Sequence, residues 1–264
     1  MRCAIILAVL SVALAASAAP QQRIVGGRPT TISQYPFAAH VQTGLLGVLY
    51  GPLCGGFIIS NTVVISAAHC FQGSPLLTYR VRLGSSYSAS GGSIFNLRSL
   101  LNHPDYVDRT LVNDVAILKL LRPIIFSDVI KAARIPSRAY VVADDTELTV
   151  VGWGNLYSAG PAPEMLHEVQ VNKVNTTICA ERYRALNASS SYPYPEVTDT
   201  MLCSGVDVDR KGFCQGDSGG PVLMNEDIVV GIVSWSHLEC AEPMYPGVST
   251  LVSAFTDWIL ANAS

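Results

Sequence analysis

DRKGFCQGDSGGP, residues 209–221, places four glycines and a closing proline within thirteen positions. Taken alone the run is a tight turn, since glycine adopts the backbone angles that sharp turns need. Its surroundings decide the fold class. Short β-rich runs recur along the chain at Phe37–Val41, Gly56–Ser60, Val63–Ser66, Tyr79–Gly84, Val115–Leu120, Leu148–Gly152 and Ile228–Trp235, separated by Gly, Pro, Asn and Ser clusters. Many short strands with turn signals between them predict an all-β sandwich or barrel. One segment departs from this. Between Ser253 and Ala261, Phe255, Trp258 and Ile259 recur at i, i+3 and i+4, which predicts a terminal amphipathic helix. There is no internal repeat, and Leu121–Arg138, with Pro123 and Pro136, reads as a connector between two halves.

The first residues are read as a secretion signal over 1–18: Arg2, an apolar run from Ala4 to Ala16, then the small-x-small pattern Ala16-Ser17-Ala18. No segment reaches the ~20 apolar residues that a membrane span requires, so the expectation is an exported protein without a membrane partner. Cys3 leaves with the signal, and six cysteines remain: Cys54, Cys70, Cys179, Cys203, Cys214 and Cys240. An even number in a secreted chain predicts three disulfides, with the pairing left open by the sequence. No Cys-x-x-Cys or His-x-x-x-His pair suggests a metal set. Without Arg2 and Arg23 the chain has 15 basic and 20 acidic residues, a formal charge of −5. That balance argues against nucleic acid or an anionic membrane as partner. Arginine outnumbers lysine 13 to 4, which is either composition drift or an adaptation to an alkaline medium, where lysine begins to lose its proton.

Three patches carry the chemistry: SAAHC (66–70), NDVAIL (113–118) and GDSGGP (216–221). Singly they read as a buried histidine, a strand with a capping aspartate and a glycine turn. Together, in the order His, Asp, Ser, they resemble the trypsin/chymotrypsin family of serine proteases, in character the midgut enzymes of lepidopteran insects. The resemblance runs from Ile24 to the C-terminus through RIVGG, CGG, VGWG, SW and YPGV. It implies two packed six-stranded antiparallel β-barrels, over residues 24–130 and 131–252, and a C-terminal α-helix over 253–263. It also implies Ser218 as nucleophile, His69 as its base, Asp114 as the group orienting the imidazole, and the N–H groups of Gly216 and Ser218 as oxyanion hole. The disulfides it implies are Cys54–Cys70, Cys179–Cys203 and Cys214–Cys240. In QQRIVGG, cleavage after Arg23 by a trypsin-like activator would remove a propeptide, 19–23, and free the Ile24 amine to pair with Asp217.

The same resemblance places Gly212 and Gly247 at the floor of the pocket for the substrate side chain preceding the cut (P1), with Ser234, Trp235 and Ser236 on its wall. Trypsins have aspartate at the position of Gly212. Without it a substrate cation would be desolvated unpaired, so the expected pocket is uncharged and deep, suited to Phe, Tyr, Leu or Met. Ser236 crowds that wall, and Phe213 adds bulk or apolar lining. Glu239 and Glu242 flank Cys240 and offer an alternative, a P1 preference for Arg or Lys. No cofactor and no metal are expected; between Cys70 and Asp105 there is no Asp or Glu to hold a calcium ion. Asn175 and Asn187 head glycosylation sequons, and Asn262 heads a poor one at the terminus. His40, His103, His167 and His237 read as surface or packing residues. The expectation is therefore a monomeric, secreted, digestive serine endopeptidase acting on proteins and peptides and controlled by protein inhibitors. Yolk-degrading, venom or immune-cascade proteolysis would use the same patches. A non-catalytic homologue would be expected to have lost His69, Asp114 or Ser218, and all three stand.

Overall fold

Valine, isoleucine and leucine runs cut short by glycine turns fold here into two barrels. The computed structural model describes residues 25–263, so the expected signal, propeptide, Arg23 and Ile24 lie outside the described residues. After a two-residue strand β1 (Arg28–Pro29), the first barrel is built from β2 (Ala38–Leu45), β3 (Val48–Ile58), β4 (Val63–Ser66), β5 (Leu77–Leu83), β6 (Ser93–Asn102) and β7 (Ala116–Leu120). These close in the order β2-β3-β4-β7-β6-β5, every pairing antiparallel, with β2 meeting β5 at Ala39↔Leu83 and Val41↔Val81. β4 is VVIS and buried throughout; branched side chains favour the extended backbone and fill the pleated surface.

The second barrel contains β8 (Glu147–Gly152), β9 (His167–Val174), β10 (Met201–Gly205), β11 (Pro221–Met224), β12 (Ile228–Trp235) and β13 (Gly247–Leu251). Its ring runs β8-β9-β10-β13-β12-β11 and returns to β8, again antiparallel, while β1 adds to the outer edge of β9. Two six-stranded barrels are as the resemblance implies, and the terminal helix α2 (Val252–Asn262) is as the periodicity predicts. A second helix, α1 (Thr176–Ser189), was not expected. Only Cys179 and Tyr183 of its fourteen residues are buried, so it lacks the apolar stripe by which a helix is read from sequence.

Residues 121–146 run from β7 to β8, and the expected connector, 121–138, lies within them. Ile124 and Ala133 donate to the carbonyls of Asn61 and Ile58 in the first barrel, and Arg134 donates to Asp227 O in the second. The first core continues from Phe57, Ile65, Val81 and Ile117 through Trp153 to Phe255 and Ile259 of α2. The second barrel has its own cluster around Leu148, Val150, Leu202, Val222 and Val230. All three disulfides pair as the resemblance implies.

Candidate active site

His69 sits in a one-turn 3-10 helix, Ala68–Phe71, that leaves β4 at the barrel rim. Burial of β4 fixes where this turn starts, and the Cys54–Cys70 bridge ties its next residue to β3. Asp114 arrives from the other side, just before β7. The chain turns there through Asn113, whose φ of 59° lies in the left-handed region that asparagine tolerates better than most residues. Asp114 is fully buried. Its Oδ1 accepts the His69 backbone N–H at 2.8 Å, and its Oδ2 lies 2.7 Å from His69 Nδ1. Ser234 Oγ donates to the same Oδ2 at 2.5 Å, and Thr250 Oγ1 donates to the Asp114 carbonyl at 2.8 Å. A buried carboxylate persists only when its oxygens are occupied in this way. With Nδ1 of His69 facing this carboxylate, Nε2 is the ring nitrogen left to act as an acceptor.

Ser218 lies in the loop that precedes β11. Its carbonyl accepts Gly55 N–H at 2.7 Å, and Gly55's own carbonyl accepts Ser66 Oγ at 2.8 Å, three residues before His69. The loop is therefore seated on the strands that flank His69. Gly219, at φ 77°, is what allows the approach: a Cβ there would lie 2.7 Å from Gly55 O and 3.0 Å from Ala67 N. Gly216 has φ 97°, a conformation that only glycine adopts cheaply. Between them Asp217 is fully buried, accepting N–H groups from Gly154 at 2.8 Å and Cys214 at 3.0 Å. Burial pushes its carboxyl up to about 6, against the lowering effect of those two donors. No charged group among the described residues contributes to that shift. A Cβ on Gly152 or Gly154 would run into this carboxylate, so VGWG serves as its cradle.

Of the expected pocket residues, the structure brings Phe213 against Gly247. Gly212 N–H donates to Val25 O at 3.1 Å, and its open side faces Ala241. Phe213, 4% exposed, lies across Gly247. Trp235 is buried against Tyr183 at 4.8 Å between centroids, Ser236 Oγ donates to His237 O at 3.1 Å, and Cys214–Cys240 ties the segment before Ser218 to the one after Trp235. Ser234, expected on the pocket wall, also holds Asp114. That second role, with those of Ser66, Thr250 and Gly154, was not read from the sequence, because the partners lie 11 to 136 residues away.

Glu242 is engaged by Arg210 at 2.7 Å, and Glu239 is exposed, its N–H on His237 Nδ1. Cys54, His69 and Cys70 come together, but both sulfurs are spent in the disulfide and offer no thiolate to a metal. The other histidines pack. His40 meets Trp153 edge-on at 5.2 Å, His103 lies against Phe255 and Trp258, His167 is buried, and His237 stacks between Tyr194 and Tyr245. Burial first, then the Arg82 charge, pushes His40 down to about 4.

Residues 24–259 match the family model described as Trypsin. "Trypsin, alkaline B" of Manduca sexta is 42% identical over 259 residues, 98% of each chain. "Trypsin CFT-1" of Choristoneura fumiferana is 40% identical over 261 residues, covering 97% of this chain and 98% of the relative. "Vitellin-degrading protease" of Bombyx mori is 37% identical over 240 residues, covering 91% and 85%.

Proposed function

We propose, from the premise that this chain belongs to the trypsin family of serine endopeptidases, that it is a secreted digestive enzyme, switched on by cleavage at Arg23–Ile24, with an uncharged P1 pocket. Among the described residues no helix is long and apolar enough to cross a membrane. The observation that carries the catalytic reading is the fully buried Asp114 bonded to both the backbone and Nδ1 of His69.

Ser218 Oγ attacks the peptide carbonyl carbon while its proton passes to His69 Nε2. The C–N bond then breaks and the imidazolium gives that proton to the departing amine. Water repeats the sequence on the acyl-enzyme, with His69 again as base, and frees Ser218. Asp114 holds the tautomer and balances the imidazolium charge. The N–H groups of Gly216 and Ser218 receive the oxyanion, and one such donor is worth about 3 kcal/mol in the transition state.

Asp217 supports the activation reading. A buried carboxylate with no charged partner among the described residues gains an ion pair once the Ile24 amine is released, and the gain falls on the loop that aims Gly216. The neutral pocket is supported by glycine at 212 and 247 and by Arg210, which already holds Glu242. The partners of this reading are protein substrates, a trypsin-like activator and protein inhibitors, and the enzyme acts as a monomer.

The test is labelling with a serine-reactive fluorophosphonate before and after cleavage at Arg23. Labelling of the cleaved protein, abolished by Ser218→Ala and weak before cleavage, is expected. A cleaved, folded protein that takes no label at Ser218 would sink the catalytic reading, and equal labelling before cleavage would sink the switch.

A further inference from the structure

Phe213 follows Gly212 directly in the chain, yet its side chain does not line an open cleft. The ring lies on the side of Gly247 where a side chain would emerge; a Cβ added there would stand 2.6 and 3.1 Å from its Cε1 and Cε2. Phe213 also belongs to the packed cluster of the second barrel that includes Val142, Val169, Val222 and Val233. Core rings of this kind are held by close packing, and displacing one means either a cavity behind it or a clash in front. At Gly212 the near neighbour of an added Cβ, among the described residues, is Ala241, at 3.4 Å. The floor is thus made of two glycines, one of them covered by an aromatic ring.

We propose that Phe213 sets the length of side chain the enzyme accepts, its ring taking up the lower part of the P1 pocket, so that the preferred substrates carry Ala, Val or Leu before the cut. This rests on the neutral-pocket reading and narrows it, from large apolar side chains in a deep pocket to short aliphatic ones in a shallow pocket. A P1 phenylalanine or tyrosine would have to move the ring out of the barrel core. A P1 arginine would meet the same obstruction with its charge unpaired. Ser236, half-buried at the wall, adds its hydroxymethyl group to the same restriction.

The experiment measures kcat/KM of the activated enzyme on matched peptides with Ala, Val, Leu, Phe or Arg at P1, its concentration fixed by active-site titration. The expected result is that Leu, Val or Ala exceeds Phe by about tenfold or more, the discrimination that misfit of a few methylenes supplies. In Phe213→Ser the ratio of Phe to Ala cleavage should rise by about tenfold or more while Arg stays poor. Where that variant does not fold, Phe213→Leu carries the test, with a smaller shift of the same sign. Wild-type preference for Phe over Leu, Val and Ala, or an unchanged ratio in a folded Phe213 variant, would overturn the role of Phe213 and leave the neutral pocket standing. Wild-type preference for Arg would overturn the neutral pocket itself.

Discussion

The two barrels share one strand topology and differ in almost everything else. Residues 25–133, which include the first, hold eight basic and four acidic side chains, with no acid before Asp105. Residues 134–263 hold seven basic and sixteen acidic ones. The first barrel supplies His69 and Asp114 from short elements at strand ends, within continuous apolar runs. The second supplies Ser218 and part of the proposed pocket from long glycine-containing loops braced by Cys214–Cys240, and among the described residues it alone carries an inserted α-helix. The difference teaches how each part is held: the proposed base and its carboxylate sit on a rim of regular structure, whereas the proposed pocket combines the loop residues Gly212, Phe213 and Ser236 with the strand-end residues Ser234, Trp235 and Gly247.

The division is not clean at Asp114, and that is where the largest effects are expected. Its carboxylate belongs to the first barrel, yet Ser234 and Thr250 of the second donate to it and to its carbonyl. Asp114→Asn presents an amide to His69 Nδ1 and favours the wrong tautomer, so kcat should fall by about 10⁴-fold with the fold intact. Ser234→Ala removes one donor from a buried carboxylate, worth about 1.5–3 kcal/mol to the folded state, and should lower kcat by less than Asp114→Asn does, since the carboxylate itself remains. Steady-state kinetics on one peptide check both. A silent Ser234→Ala would mean that the first barrel alone orients the imidazole.

These partners also mark the limit of what the sequence disclosed. The disulfide count and the all-β class were legible from composition and runs of β-branched residues, and SAAHC, NDVAIL and GDSGGP carried the resemblance that implied two barrels and nominated the proposed triad. Ser234 bonding to Asp114 spans 120 positions and Arg210 holding Glu242 spans 32, so no local pattern announces either. Strands β6, β9, β10, β11 and β13 lay between the runs that stand out by composition. HEVQVNKV in β9 alternates clearly, but with His, Glu and Lys among its buried residues it does not look apolar. Phe213 was legible as bulk. Which way its ring points follows from the glycine it covers, and that is a tertiary fact.

Two buried ionisable groups, one in each barrel, give an intermediate effect. His40 in β2 is held down to about 4 and Asp217 in the second barrel is pushed up to about 6. For His40 the unfolded chain binds the proton more readily between pH 4 and 6.5, so its contribution to stability rises with pH across that window. For Asp217 the folded chain binds the proton more readily between about pH 4 and 6, so its contribution falls with pH. Each is worth about 3 kcal/mol, and the two oppose each other in the uncleaved chain. Urea unfolding of uncleaved Ser218→Ala protein from pH 4 to 7 should expose this. Added Asp217→Asn leaves stability rising with pH, and added His40→Gln leaves it falling. Parallel profiles in the two variants would show that the barrels do not hold opposed charges. After cleavage at Arg23 the fall due to Asp217 should shrink, because the Ile24 amine then favours its ionised form.

The smallest expected effect concerns the helix that only the second barrel possesses. With two buried residues, α1 draws little from packing, and its stability depends on the Cys179–Cys203 bridge and on its first turn. There Asn175 Oδ1 accepts the N–H groups of Thr177 and Ile178 at 3.0 and 3.2 Å, while its Nδ2 donates to Asp144 at 2.8 Å. Asn175→Ala should therefore cost about 1 kcal/mol in urea unfolding, with kcat/KM unchanged because α1 supplies none of the residues assigned to the site. Asn175 also heads a sequon, and Thr177→Ala abolishes the sequon while leaving the cap in place. Compared in protein from a glycosylating host, the two variants separate the explanations. Loss confined to Asn175→Ala assigns the effect to the cap, whereas equal loss in both assigns it to a glycan, and the amide at 175 would then be exposed to modification rather than committed to the helix.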